Sequence, residues 1–206
     1  QSATSGTVTL VNDIHSQLNQ TRVRGIVPVD STATLQRAVR RAAEAGRAIC
    51  IAGGRHAMGA QQFASDAVML DTTPLNRVRG FDRANGIVEV DAGIMWPALI
   101  DYLLTSQAGR LSQWGIAQKQ TGADRLTIGG ALSANVHGRG LTLPPFVGDV
   151  ESFKLLDARG ELISCSRTEN PDLFRLAIGG YGLFGFIYSV TLRLVPRLKV
   201  QRAVEV

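Results

Sequence analysis

Residues 51–59 read IAGGRHAMG, and they mark the point where a short apolar strand gives way to a loop of small residues. Such a loop can turn successive backbone N–H groups toward one point and form a nest that binds an anion. A plain tight turn is the simpler interpretation of two adjacent glycines. His56, at the tip of the loop, favours a binding site, because an imidazole beside a phosphate-binding nest is unusual in a mere connection. We therefore predict that this loop binds a phosphate group.

The segments on either side of this loop predict a β-α-β-β order. The predicted strands span residues 23–29, 48–51, 68–71 and 86–91. Asp30 and Ser31 offer side-chain oxygens that can cap a helix after the first strand, and Gly46 suits the left-handed residue that ends it. The apolar residues of this helix have the spacing of one buried face: Leu35, Ala38, Val39, Ala42 and Ala43. We expect a first lobe over residues 21–91. It is preceded by an N-terminal arm over residues 1–20, either loose or forming a first edge element, in which His15 is given no role.

The second half of the chain predicts a second mixed lobe, over residues 92–200. A helix begins near Pro97, which suits a first helical turn, and a hairpin joins residues 150–156 to 161–165. Another helix starts at Asn170 and Pro171, and the last strong strand spans residues 184–195. The fold class is therefore α+β with two lobes. Residues 201–206 are interpreted as the start of a linker to a further domain.

A second glycine-rich segment runs from Thr121 to Gly138. Its small residues would let a flat ligand, or a second backbone, lie directly on the start of a short helix, where N–H groups are unsatisfied. Thr127, Ser133 and Asn135 can add hydrogen bonds to that ligand. The alternative is a close helix-packing seam. Since a buried Asn135 would then need a partner, a polar ligand is the better interpretation.

Residues 180–185 read GYGLFG, which matches the spacing of a dinucleotide-binding fingerprint. That fingerprint follows a strand and opens a helix, whereas this segment follows a predicted helix and opens a predicted strand. We therefore reject a Rossmann fold and interpret the segment as a turn whose backbone can approach a cofactor.

Composition argues against several classes of function. The 22 Lys and Arg residues exceed the 17 Asp and Glu residues, but the arginines are scattered, which favours a solvated basic face over nucleic-acid binding. No stretch reaches the roughly 20 apolar residues of a membrane span, so we expect a soluble, cytoplasmic protein. Cys50 and Cys165 lie in apolar segments without metal-binding spacing. They are interpreted as buried free thiols, with a disulfide left open.

Taken in order, these segments resemble the FAD-binding domain of the vanillyl-alcohol oxidase / para-cresol methylhydroxylase flavoprotein family. The match covers residues 26–196 and adds three shorter pieces to the glycine-rich segments: residues 71–76, 90–93 and 185–195. The resemblance implies two lobes with FAD between them, the pyrophosphate on residues 53–57, and the adenine near the backbone of Ile187. The cofactor-binding residues it implies are Ala52, Gly53, Gly54, Arg55, His56, Ala57, Met58, Gln62, Thr121, Gly122, Thr127, Gly129, Gly130, Ser133, Asn135, His137, Gly138 and Ile187.

In many members of this family a histidine at the position of His56 is bonded to the flavin 8α-methyl group. Such members usually have Gly before this histidine and Ser after it, whereas this chain has Arg55 and Ala57. No cysteine lies between Cys50 and Cys165 to form a second link, so at most one covalent bond to the flavin is expected.

The resemblance implies an FAD-dependent oxidase or dehydrogenase that oxidises a CH–OH group by hydride transfer to flavin N5. His137 is the candidate catalytic residue, since a neutral imidazole can donate or accept near pH 7; a structural histidine is the alternative. The small-molecule substrate is expected to bind with a C-terminal substrate domain that this sequence lacks, which would leave the chain alone nearly inactive. Two alternatives stay open: an NADPH-using reductase of the UDP-N-acetylmuramate type, and a nucleotide-binding module without redox chemistry.

Overall fold

The computed structural model describes residues 8–198, 200, 201, 203 and 204, and it confirms the α+β class. The helices are α1 (Thr32–Glu44), α2 (Trp96–Ser106), α3 (Ile128–Ser133) and α4 (Pro171–Ala177), and a 3₁₀ helix spans Phe146–Asp149. The strands of the first half are β1 (Thr9–Val11), β2 (Thr21–Val23), β3 (Gly25–Pro28), β4 (Ile49–Ala52), β5 (Val68–Asp71), β6 (Val78–Asp82) and β7 (Ile87–Asp91). The remaining strands are β8 (Trp114–Gly115), β9 (Val150–Leu156), β10 (Leu162–Ser166), β11 (Phe186–Arg193) and β12 (Val195–Pro196).

A three-stranded parallel sheet in the order β3-β5-β4 carries the first glycine loop. Helix α1 is the crossover between β3 and β4 that parallel pairing requires. The predicted cap is confirmed, since the Ser31 hydroxyl accepts a hydrogen bond from the Thr34 N–H at 3.3 Å. The predicted apolar face is buried from Leu35 to Ala42, whereas Ala43 is exposed. Strand β4 therefore ends at Ala52 against a fixed sheet, and the loop leaves that sheet at Gly53.

A five-stranded antiparallel sheet in the order β10-β9-β11-β7-β6 forms the centre of the molecule. Strand β7 pairs with β11, so that Val90 lies opposite Val190. Strands β6 and β7 therefore belong with the second half of the chain. A division of the chain by sheets falls between β5 and β6, not after residue 91, where the sequence pattern placed the end of the first lobe.

The central sheet packs on both faces. On one face, Phe153, Leu155 and other strand residues form a core with α2, α3 and α4. On the other face, Leu156, Phe186 and Tyr188 pack against α1 and β5. A bulge between residues 187 and 189 of β11 lets the strand serve both cores, because it resets which side chains face which side.

The part of the N-terminal arm that the structure describes is folded. Strands β1 and β2 form an antiparallel hairpin in which Val11 pairs with Thr21, and the side chains of Val11 and Val23 are buried. Residues 8–20 thus form an ordered element, as the second of the two predicted alternatives has it, and not a loose arm; residues 1–7 lie outside the described residues. The reason is a buried aspartate, Asp13, which organises the connection between the two strands.

Within the described residues, no helix is both long enough and apolar enough to cross a bilayer. Cys50 and Cys165 are free and buried, as predicted. Across the same part of the chain, no group of three or more His, Cys, Asp or Glu side chains is placed to hold a metal ion.

Candidate cofactor site

A cavity of about 340 Å³ opens where three turns meet: the loop after β4, the start of α3, and the turn before β11. This volume falls in the usual range for small-molecule sites. Twelve of the predicted cofactor-binding residues line it: Gly53, Gly54, Arg55, His56, Ala57, Met58, Gln62, Thr127, Gly129, Gly130, Ser133 and Ile187. The structure thus brings together most of both glycine-rich segments, which are about 70 residues apart in sequence.

The loop after β4 contributes backbone donors to this cavity. Among the described residues, the N–H groups from Gly53 to Met58 donate no hydrogen bond. Arg55 has a φ of 55°, and a left-handed residue after right-handed or extended ones curves successive N–H groups toward one side. Such unpaired donors are costly if nothing accepts from them. Their arrangement is suited to the oxygens of a phosphate or diphosphate.

The start of α3 contributes a close surface but no donors. The Gly129 N–H donates to the Ala92 carbonyl at 2.7 Å and the Ile128 N–H to the Ile94 carbonyl at 2.8 Å. The Gly130 N–H donates to the hydroxyl of the capping residue Thr127 at 3.2 Å. The expectation that unsatisfied N–H groups at this helix start hold the ligand is therefore wrong. These amides bind the start of the helix to the turn that follows β7 and to its own capping residue.

The two segments approach so closely that side chains are excluded between them. A Cβ atom added to Gly53 would lie 2.3 Å from the Thr127 hydroxyl oxygen, and one added to Gly54 would lie 2.4 Å from the Arg125 carbonyl oxygen. A Cβ on Gly129 would lie 2.8 Å from that of Ala92. These close contacts leave no room for a side chain at the three positions, and they hold the walls of the cavity together.

Two polar side chains on the cavity wall have buried atoms without a partner. Both amide atoms of Gln62 are buried and make no hydrogen bond within the described residues. The same is true of Nε2 of His56. Since buried polar groups in folded proteins are normally hydrogen-bonded, these atoms indicate that a polar ligand completes the site.

A lowered pKa favours the neutral form of the His56 imidazole. Partial burial lowers this pKa most, the nearby imidazole of His15 lowers it further, and the Arg125 backbone opposes the shift. The Nδ1 atom of His56 lies 2.8 Å from Nε2 of His15. A neutral imidazole offers one donor and one acceptor, so the His15 contact leaves Nε2 of His56 as the free position.

The turn before β11 forms one wall of the cavity. Tyr181, Gly182 and Gly185 all have positive φ, at 49°, 81° and 141°, and all line the cavity. The reversed GxGxxG spacing was the signal for this backbone-close turn. Other lining residues, most of them ordinary apolar or small residues, were not predicted to bind the cofactor: Ile51, Gln61, Thr72, Ala92, Leu126, Ala134 and Val136.

Six predicted site residues do not line this cavity: Ala52, Thr121, Gly122, Asn135, His137 and Gly138. Ala52 borders a smaller adjoining cavity of about 250 Å³ on the other side of the loop. Asn135 has a structural partner, since its Oδ1 accepts from the Val147 N–H at 3.2 Å. His137 is exposed, with Nδ1 beside the Gly138 carbonyl at 2.9 Å. The geometry gives His137 no place at the cavity, and its catalytic role stays a prediction.

These features define a class of protein: a mixed α+β domain with a site for a flat, phosphate-bearing cofactor. The unpaired amides after β4, the closely packed glycines and the orphaned atoms of Gln62 and His56 fit the diphosphate and ring system of FAD. The chain matches the model of the FAD binding domain family over residues 23–166. It belongs to that family, and FAD is its cofactor.

The chain is also similar to several curated flavoproteins. A putative D-arabinono-1,4-lactone oxidase of Neurospora crassa is 30% identical over 168 residues, covering 81% of this chain and 29% of that protein. L-gulonolactone oxidase of Mus musculus is 29% identical, covering 76% and 34% of the two chains. Decaprenylphosphoryl-beta-D-ribose oxidase of Mycolicibacterium smegmatis is 29% identical, covering 84% and 37%. The chain thus spans about a third of the length of the curated relatives that it matches. The resemblance to the vanillyl-alcohol oxidase family is confirmed.

Proposed function

We propose that this chain is the FAD-binding part of a flavin-dependent oxidoreductase that oxidises a CH–OH group of a small alcohol or sugar-type substrate. The observation that carries the proposal is the cavity in which unpaired amides, apposed glycines and orphaned polar atoms meet. The similarity to oxidases of sugar lactones and of decaprenylphosphoryl-beta-D-ribose supports the substrate class. When bound, FAD would supply the chemistry by accepting a hydride at N5.

Different residues would contact the pyrophosphate, the ring system and the adenine of FAD. The N–H groups of residues 53–58 would donate to the pyrophosphate oxygens, and Gln62 would pair its free amide with a polar group of the cofactor. Gly129 and Gly130 would lie against the ring system, where a side chain would obstruct it. Ile187, in β11, would border the adenine. The backbone thus does most of the binding, which is consistent with a site that has few charged side chains.

The two-lobed division and the substrate domain are part of this proposal. The curated relatives are about three times as long as the stretch they share with this chain. We expect the groups that contact the substrate to come from the rest of the whole protein. The 206-residue chain should therefore bind FAD while turning over substrate slowly or not at all.

The experiment that tests the function is to supply FAD during purification and record the flavin absorption of the protein before and after acid precipitation. Flavin bound to the native chain supports the proposal, and a chain that stays colourless with excess FAD contradicts it.

The acid precipitate also tests covalent attachment. Flavin that stays in the pellet of the parent chain, but is released from the pellet of His56→Ala, would support an 8α bond to His56. Complete release into the supernatant argues for reversible binding, the state expected of a UDP-N-acetylmuramate-type reductase. Binding ADP as tightly as FAD would favour a nucleotide-binding module.

A further inference from the structure

His15 and His56 form a hydrogen-bonded pair although 41 positions separate them. Nε2 of His15 lies 2.8 Å from Nδ1 of His56. Their ring centroids are 4.9 Å apart, and the ring planes are inclined by 54°. The contact is therefore a hydrogen bond between ring nitrogen atoms, not a stacked pair of rings.

The backbone brings His15 to this position by contacts that do not involve its side chain. The buried carboxylate of Asp13 accepts from the N–H groups of His15 at 3.0 Å and Ser16 at 2.6 Å. Next to the histidine, the Ile14 N–H donates to the Arg55 carbonyl at 3.1 Å. These bonds fix the His15 backbone relative to the residue that precedes His56.

A third contact closes the connection between the two loops. The side-chain amide of Asn19 donates to the Asp13 carboxylate at 2.9 Å and to the Met58 carbonyl at 2.5 Å. Residues 12–19, which we call the arm loop, are therefore bound to the cofactor loop on both sides of His56. The side-chain contact of His15 is set by this docking and is not a chance meeting of exposed residues.

The other ring nitrogen of His56, Nε2, links the histidine pair to the cavity. Nε2 is buried without a partner at the wall of the cavity. In a neutral imidazole, the atom that carries the proton is determined by the hydrogen bond that the other nitrogen makes. A partner at Nδ1 therefore fixes both the rotation of the ring and the character of Nε2, as donor or as lone pair. The same arrangement orients catalytic bases and metal-binding histidines in other proteins.

We infer that His15 is a positioning residue for His56: through the arm loop it holds the His56 imidazole in one rotamer and one tautomer, and so decides what Nε2 presents to the cavity. The importance of this for the cofactor rests on the proposed function. The pairing itself does not, because it is a contact between two side chains of this chain. The arm, which the sequence pattern left without a role, becomes part of the cofactor site.

The first test uses the chain without FAD, labelled with ¹⁵N-histidine, and records long-range proton–nitrogen spectra across pH. The parent should show His56 with one protonated and one unprotonated nitrogen at neutral pH. In His15→Ala the two nitrogen signals should move toward an average of both tautomers, and the pKa of His56 should rise because a second potential cation is gone. His15→Gln, which can place a polar atom where Nε2 was, should restore a single tautomer.

A matched control is Leu18→Ala, since Leu18 is an exposed residue of the same arm loop and should leave the His56 signals unchanged. The main-chain anchors on Asp13 stay in place in all variants, and the amide signals of residues 12–19 in uniformly ¹⁵N-labelled samples would show this. His56 signals and titration that are identical in the parent and in His15→Ala would overturn the inference.

The second test measures binding of an FAD analogue that lacks the 8-methyl group, which makes the equilibrium reversible even if His56 attaches natural FAD. His15→Ala should weaken binding about fivefold, equivalent to about 1 kcal/mol for one orienting hydrogen bond, and His15→Gln should recover most of it. A parent chain that binds neither FAD nor the analogue would refute the proposed function, while the nitrogen spectra would still decide the role of His15. Equal affinity in the parent and in His15→Ala would remove the link between the pair and the cofactor.

Discussion

Gln62 shows at the scale of a single residue how a binding site can be recognised by what its folded state leaves unpaired. Both polar atoms of its amide are buried without a hydrogen bond in the described part of the chain. Leaving a buried donor or acceptor unsatisfied costs about 1–3 kcal/mol. A residue kept only for stability would not carry such a cost, so the amide is explained by a partner that arrives with the cofactor.

Removing the Gln62 amide should have opposite effects on the stability of the chain and on its affinity for FAD. Gln62→Met keeps the volume of the side chain and removes the unpaired amide, so the free energy of unfolding without FAD should rise by about 1 kcal/mol. The affinity for FAD should fall in the same variant. Denaturant unfolding and FAD titration measure the two effects.

The control for Gln62 is Gln107, whose buried amide is fully engaged. Its Nε2 donates to the Leu103 and Trp114 carbonyls, and its Oε1 accepts from the Trp114 N–H. Gln107→Met should therefore lower the free energy of unfolding by about 1–3 kcal/mol. If Gln62→Met were destabilised to the same extent, the Gln62 amide would have a structural partner and the argument would fail.

Gly53 tests the close approach of the two glycine-rich segments. In Gly53→Ala the new methyl group would lie 2.3 Å from the buried Thr127 hydroxyl, so Thr127 must move or the loop must shift. We expect a loss of about 1–3 kcal/mol in the free energy of unfolding, together with weaker FAD binding. Gly80→Ala, in β6 with open space around the position, should change neither property. Wild-type FAD affinity in Gly53→Ala would show that the segments can separate without harm to the site.

At the scale of elements, the sequence was sufficient wherever the determining contacts are local. The capping hydroxyl of Ser31 and the apolar spacing of α1 lie within one segment, and both were predicted. The place of β7 beside β11 could not be, because Val90 and Val190 pair across 100 residues and no local pattern specifies a partner. For the same reason, the amides at the start of α3 were expected to be free, although their acceptors lie in the segment after β7.

The role of the arm loop could not be read from local sequence patterns, since this polar segment has a single fully buried side chain, that of Asp13. Burial of Asp13 raises its pKa, but hydrogen bonds from Asn19, Ser16 and the backbone outweigh that effect and leave the pKa well below its usual range. In Asp13→Ala, the amides of residues 14–19 should therefore exchange with solvent about tenfold faster or more, because their local protection is lost. Hydrogen exchange followed by mass spectrometry would measure this.

The pH dependence of this effect has a definite sign. Because the pKa of Asp13 is lowered by folding, its contribution to stability is present above the pKa of the unfolded chain and is lost as the pH falls through the folded pKa. The difference between parent and Asp13→Ala should therefore shrink under acid conditions. Asp30→Ala, at the start of α1, is the matched acidic control and should leave exchange in the arm loop unchanged. Unchanged exchange in Asp13→Ala would mean that the loop is fixed by other contacts.

At the scale of the whole molecule, the question is whether the two main sheets form one cooperative unit. Leu156, Phe186 and Tyr188 of the central sheet share a core with α1 and β5. The cavity is likewise built from both parts, since the loop after β4 meets α3 and the turn before β11. A site assembled in this way holds its shape only if the parts stay together, so we expect the parallel and antiparallel sheets to unfold in one transition.

The two cysteines report on this directly, because Cys50 lies in β4 of the parallel sheet and Cys165 in β10 of the antiparallel sheet. Both thiols are buried. Burial, and to a smaller extent the nearby carboxylate of Glu169, raises the pKa of Cys165 to about 11. Burial also raises the pKa of Cys50. Since the thiolate is the reactive form, neither should react with a thiol reagent near pH 8 in the native protein.

The single-cysteine variants Cys50→Ala and Cys165→Ala each leave one thiol to be labelled during denaturant unfolding. In each variant, labelling should begin at the unfolding midpoint of that variant, whichever sheet holds the remaining thiol. Labelling of Cys50 well before that midpoint would mean that the parallel sheet opens by itself, and that the cofactor site can come apart while the central sheet stays folded.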